Sequence, residues 1–105
     1  MSENRKPTLD LSGLLTIRTI SNAKDAIIKS IDESEALDLV ISDESDVDIT
    51  GIQLIIAAQL YAQGASKRLS LAAPISGRAL NLMDRAGLFA EMSVENRQFW
   101  LHEGV

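Results

Sequence analysis

Between Ile49 and Ser66 the chain carries no charged residue, and directly before that stretch it reads Asp46-Val-Asp-Ile-Thr-Gly51. No other segment limits the fold as much. A helix on a protein surface normally turns Glu, Lys or Arg to water, whereas this stretch has none to turn. Gly51 to about Gln63 is predicted to be a helix closed by Gly64, a common C-terminal cap residue. At 100° per residue, Leu54, Ile55, Ala58, Tyr61 and Ala62 share the expected core face. Ile52, Gln53, Ile56, Gln59, Leu60 and Gln63 fall opposite. A short chain has little material to cover both faces, and contiguous exposed apolar surface marks a docking site.

The remaining segments read as a small α/β domain. Residues 1–7 form a polar tail ending at Pro7, and residues 8–105 form one domain. Thr8–Ser12 alternates as a short strand, and after Gly13 the stretch Leu14–Ile20 is expected to return as its hairpin partner. Ser21-Asn22 supplies N-cap chemistry for a helix whose Ala23, Ala26, Ile27 and Ile31 recur at helical spacing. The apolar run Leu39-Val-Ile41 within Ala36–Ser42 has the look of a central parallel strand. Arg68–Ala73 is a further strand ended by Pro74. Ser76–Ala86 is a helix closed by Gly87, with Arg78, Asn81, Asp84 and Arg85 on its wet side. The tail from Phe89 reads equally as a short helix or an edge strand carrying Phe99 and Trp100, aromatics that more often plug the end of a small core than anchor a partner. The expected order is ββαβαβα plus a tail, a small mixed sheet layered with helices.

Composition narrows the chemistry. There is no cysteine, so neither a disulfide framework nor thiolate metal or redox chemistry is available. The net charge is −5 and the basic residues are scattered, which argues against nucleic-acid binding. The longest unbroken apolar run, Leu54–Ala58, is too short to enter a bilayer as a span. The basic residues of the first seven positions precede no signal-peptide core, so a cytoplasmic location is expected.

The corner at residues 46–51 admits two readings. In one, Thr50 with Gln53 three residues later is a capping box, and Asp48 adds a favourable charge at the helix start. In the other, Thr50 heads the neutral helix face as a phosphorylation site. A phosphate there would add roughly −1.5 to −2 charge, attracted by the helix-terminal amides and repelled by Asp46 and Asp48.

Leu37-Asp-Leu-Val-Ile41, then Asp48-Ile-Thr-Gly51-Ile-Gln-Leu54, then Arg68-Leu-Ser-Leu-Ala-Ala-Pro74 and Arg85-Ala-Gly-Leu88 together resemble the STAS family. That family includes anti-sigma-factor antagonists and the C-terminal domains of sulphate transporters. The resemblance spans most of residues 8–88. It implies a sheet with helices packed mainly on one side and a non-catalytic regulatory role without a cofactor. The hydroxyl residue before the glycine, which a partner kinase phosphorylates in antagonist-type members, corresponds to Thr50, with Asp48 as the neighbouring acid. The start of the following helix corresponds to Gly51, Ile52 and Ile56. Combined with the neutral face, the expected partner surface comprises Asp46, Asp48, Ile49, Gly51, Ile52, Gln53 and Ile56. The partner would be a kinase or anti-sigma-like protein, and self-pairing into a homodimer would use the same face. The chain departs from the family pattern in having Ile49 before the acceptor and threonine as the acceptor. The alternative is a constitutive STAS subunit of a lipid-transport ABC complex or a chemotaxis assembly, without phosphorylation.

Rival chemistries fit less well. Asp46-x-Asp48-x-Thr50 matches the nucleophile signature of haloacid-dehalogenase-type phosphatases, but the later acids include no adjacent pair to hold magnesium. A calcium loop counted from Asp46 meets Ala57 where its bidentate Glu belongs. The single His102 has no partner for a metal site, and no Gly-rich phosphate loop occurs.

Overall fold

Leu9, Leu39 and Leu71 stand in one cross-strand row, and Thr8, Asp38 and Ser70 stand in the next. These two rows belong to a computed structural model that describes residues 7–42, 46–90 and 92–103. The strands are β1 (Thr8–Asp10), β2 (Ala36–Val40) and β3 (Arg68–Leu71), in the order β1-β2-β3. Successive side chains on a strand point to opposite faces. Leu37 and Leu39 are accordingly sealed, while Ala36, Asp38 and Val40 between them are half-buried.

Both pairings are parallel, so each strand must reach the next through a crossover rather than a tight turn. The crossovers contain α1 (Ile20–Asp32) and α2 (Ile49–Gly64), and α3 (Gly77–Arg85) and α4 (Val94–Leu101) follow β3. Ala23, Ile27 and Ile31 of α1 meet Ile52, Ile55, Ala58 and Ala62 of α2 in the core, with Ala79 and Met83 from α3. Phe99 and Trp100 of α4 close it, edge to face with ring centroids 5.2 Å apart. The tail is thus a helix, capped by the Ser93 hydroxyl accepting the Asn96 amide.

Three expectations change. The expected hairpin is absent among the described residues, and the sheet there is all parallel rather than mixed. Leu14–Ile20 gives a single parallel bridge, Leu15 to Val47, then a turn closed by the Thr19 amide on the Thr16 carbonyl. The reason lies in how its apolar residues are spent: Leu15 is fully buried from the loop, Leu14 packs beside it, and Ile17 is 71% exposed. No alternating face remains for a strand. Helix α1 starts at Ile20 behind Thr19, two residues before the expected Ser21-Asn22 cap.

Helix α2 ends as predicted at Gly64, but the left-handed residue is Ser66, at φ 60°. The Lys67 amide donates to Ala62 and the Ser66 amide to Gln63, a Schellman closure. Helix α3 closes the same way with Gly87 at the left-handed position. Residues 1–6 of the expected tail, and 104–105, lie outside the described residues.

Candidate functional site

Asp48 organises the corner. Its amide donates to the Leu15 carbonyl at 3.1 Å, one carboxylate oxygen accepts the Gly51 amide at 3.2 Å, and the other accepts the Ile17 amide at 2.9 Å. It is therefore both the N-cap of α2 and the clasp that holds the β1–α1 loop against that helix. These donors hold its carboxyl below the usual carboxylate range. The Ile17 amide contributes most, partial burial opposes it, and the Gly51 amide and the Thr50 amide and hydroxyl contribute less.

This geometry corrects the capping box. Asp48, not Thr50, is the N-cap, so Thr50 is the second residue of the helix, and Gln53 lies exposed outside any cap. Thr50 is half-buried and follows the Asp48 cap by two residues.

Helix α2 is rotated from its expected setting. Gly51 and Ile52 are buried, Ile52 to 1%, and belong to the core rather than to a partner surface. Gly51 forces this, because a β-carbon there would lie 2.3 Å from the Leu15 carbonyl oxygen. With Gly51 pressed on Leu15, Ile52, Ile55, Ala58 and Ala62 turn inward. Tyr61, expected in the core, is 40% exposed and donates its hydroxyl to Asp32 at 2.6 Å.

What remains outside is a narrower stripe. Ile49, Gln53, Ile56 and Leu60 follow one another at i, i+4, i+7 and i+11 on the outward side of α2. Ile56 is 38% and Leu60 64% exposed, and Ile49 lies beside the corner. Alongside runs a cleft of about 530 Å³ whose walls mix Ile56, Leu60, Met83 and Met92 with Gln59 and Glu95. Methionine is suited to such walls because it adapts its shape to what it meets. Asp46 is exposed and takes no part in the stripe, being ion-paired with Arg78 of α3.

Of the two acids of the Asp-x-Asp pattern, Asp46 pairs with the Arg78 guanidinium, and Asp48 accepts the Ile17 amide of the loop and the Gly51 amide of α2. Among the described residues no helix is long and apolar enough to cross a membrane.

A second concavity was not anticipated. The β1–α1 loop, the Asp46–Asp48 segment and the wet face of α3 enclose a groove of about 1070 Å³. Arg18, Arg78 and Arg85 line it. The seven-residue interval from Arg78 to Arg85, two helical turns, was the available sequence signal. Arg18 comes from a loop that the sequence presented as a strand.

No protein-family model, curated protein or solved structure matches this chain.

Proposed function

We propose that the chain is a non-catalytic, STAS-like regulatory domain of the cytoplasm that docks a partner protein on α2. The observation that carries this reading is the outward stripe of Ile49, Ile56 and Leu60, on a helix without a charged residue and beside a cleft of mixed apolar and polar walls. Apolar surface arranged contiguously in this way gains free energy when a partner covers it. The partner segment suited to it presents apolar anchors with a basic margin, because the chain carries a net charge of −5.

Thr50 is the tuning point in this reading. It follows Ile49 directly and stands about one turn before Gln53, in the first turn of the docking helix. Phosphate on its hydroxyl would set a second anion beside Asp48, which is held ionised. The free amides of the first turn would offset part of that repulsion. The result is altered partner affinity at the head of the stripe.

The second reading, a constitutive subunit using the same stripe, is favoured by Thr50 being half-buried in the first turn of α2. The two separate in one experiment. Partner retention is compared for wild type, Thr50→Ala, Thr50→Asp and the double variant Ile56→Glu/Leu60→Glu. Tuning by phosphorylation requires that Thr50→Asp change retention while Thr50→Ala does not. Loss in the double variant alone fits the constitutive subunit. Undiminished retention in the double variant contradicts both.

A further inference from the structure

Strand β3 is the last strand of the sheet among the described residues, so one of its edges has no strand beside it. The Arg68 amide donates to the Glu35 carbonyl and the Ala72 amide to the Leu39 carbonyl, so residues 68, 70 and 72 turn their main-chain groups towards β2. Leu69 and Leu71 turn theirs the other way. The Leu71 carbonyl accepts the Nε2–H of the His102 ring at 3.1 Å, a side chain standing where the next strand would donate. Among the described residues no hydrogen bond reaches the Leu69 amide, the Leu69 carbonyl or the Leu71 amide. Main-chain groups of this kind are the template for a further strand.

Helix α4 flanks this edge and is tied near both its ends. Gln59 of α2 donates to the Asn96 side chain at 3.3 Å, and His102 holds Leu71. Between helix and edge lies a groove of about 550 Å³, with Arg68, Leu69 and Leu71 on one wall and Phe99 and His102 on the other. A strand edge walled by a helix has room for one extended chain rather than for a second sheet, and main-chain bonds and alternate side chains then share the recognition. Side chains on the Leu69 side of such a chain meet the Phe99 ring, which favours apolar residues. Those on the Arg68 side meet an exposed guanidinium without an ion-pair partner among the described residues. Lys67 beside it donates to the Ser34 carbonyl at 2.8 Å and keeps its charge. Asp38 and Glu95 line the groove as well, one at the Ser70 register and one at the start of α4, so an acid is favoured only next to Arg68.

We propose that the groove between β3 and α4 receives an extended peptide segment of a partner protein, which joins the sheet along β3. Its apolar residues face Phe99, and an acidic residue pairs with Arg68. The segment satisfies the open main-chain groups of Leu69 and Leu71, and the cross-strand ion pair fixes its register.

The test is an amide-resolved NMR titration of the full chain at low salt with the blocked peptide Val-Glu-Val-Thr-Val-Glu-Val, whose symmetric order serves parallel and antiparallel addition alike. Shifts are expected at residues 67–71 and 96–102 and not at Ile56 or Leu60, with slowed hydrogen exchange of the Leu69 and Leu71 amides. The same peptide N-methylated along its centre is expected not to bind, because it lacks the main-chain donors. Arg68→Glu, an exposed change whose spectrum should remain that of the folded protein, is expected to weaken the peptide roughly fivefold and to favour the version with Lys in place of Glu. Absence of shifts at millimolar peptide, equal binding of the N-methylated form, or indifference to Arg68→Glu would overturn the proposal. So would Leu69 and Leu71 amides already protected in a chain that sediments as a dimer, which would assign the edge to a second copy. Ile56 and Leu60 lie outside this groove, so the α2 stripe stands or falls separately.

Discussion

A β-carbon on Gly51 would stand 2.3 Å from the carbonyl oxygen of Leu15 and 2.7 Å from its β-carbon. The glycine of the Asp-Ile-Thr-Gly corner is therefore a packing requirement: it lets the first turn of α2 lie directly on the β1–α1 loop. That contact sets which side of an otherwise featureless helix faces the core, and so which side is left for a partner.

Gly51→Ala is expected to lower stability by about 1–3 kcal/mol, the range of an overpacked core, since the obstructing atoms include backbone. Gly64→Ala provides the control. Nothing lies within 4 Å of its added methyl, and in a helix alanine is better than glycine by up to ~1 kcal/mol. Urea denaturation should move in opposite directions for the two variants.

Ser66 holds a left-handed backbone at φ 60° in the closure of α2, a position that ordinarily belongs to glycine. Ser66→Gly removes that strain and is expected to stabilise the protein by up to about 1 kcal/mol, after the added freedom of the unfolded glycine is deducted. The readout is a higher midpoint in the same denaturation.

Asp48 makes stability depend on pH. Its folded pKa lies below the ordinary 3.8, so the carboxylate binds a proton less readily in the folded than in the unfolded chain. Its contribution is fully present above pH 3.8 and is lost as the pH falls through the lower folded value. Asp48→Asn keeps one acceptor but turns an amide donor towards either Ile17 or Gly51. The variant should melt several degrees lower than wild type at neutral pH, with the gap closing in acid below pH 3.8.

Trp100 is 1% exposed, and its carbonyl accepts the Ile75 amide at 2.8 Å. Trp100→Ala is expected to cost about 3–5 kcal/mol, a large share of the stability of a domain this size. Circular dichroism should show a cooperative melt at much lower temperature, or no folded baseline.

The parts of this fold that were legible in the sequence are those where burial and charge alternate. Ala23, Ile27 and Ile31 mark the inner face of α1, and Arg78, Asn81, Asp84 and Arg85 the outer face of α3, whereas the run Leu39-Val-Ile41 suggested burial on both faces and Val40 and Ile41 are only half-buried. Helix α2 offered no such contrast, since residues on all its sides are uncharged. Its rotation is set by the contact of Gly51 with Leu15, which no periodicity encodes. Leu14–Ile20 misled because its apolar residues imitate a strand while Leu15 is buried from a loop. The importance of Asp48 and Thr50 could be read from the corner motif, but their division of labour could not. The carboxylate caps because the Ile17 amide reaches it from a loop distant in sequence. The arginine groove was hidden for a similar reason, as Arg18 and Arg85 meet only through the tertiary fold.

The central claim, that the outward stripe of α2 is a docking face, is tested most directly by site-specific photo-crosslinking in cells. A photoreactive residue replaces Leu60 or Ile56, with Lys24 on α1 and Asp84 on α3 as exposed controls. The account expects one adduct of defined mass from positions 60 and 56, none from 24 or 84, and loss of the adduct when Ile49→Glu is added. Equal labelling at all four positions, or none at 56 and 60, would contradict it.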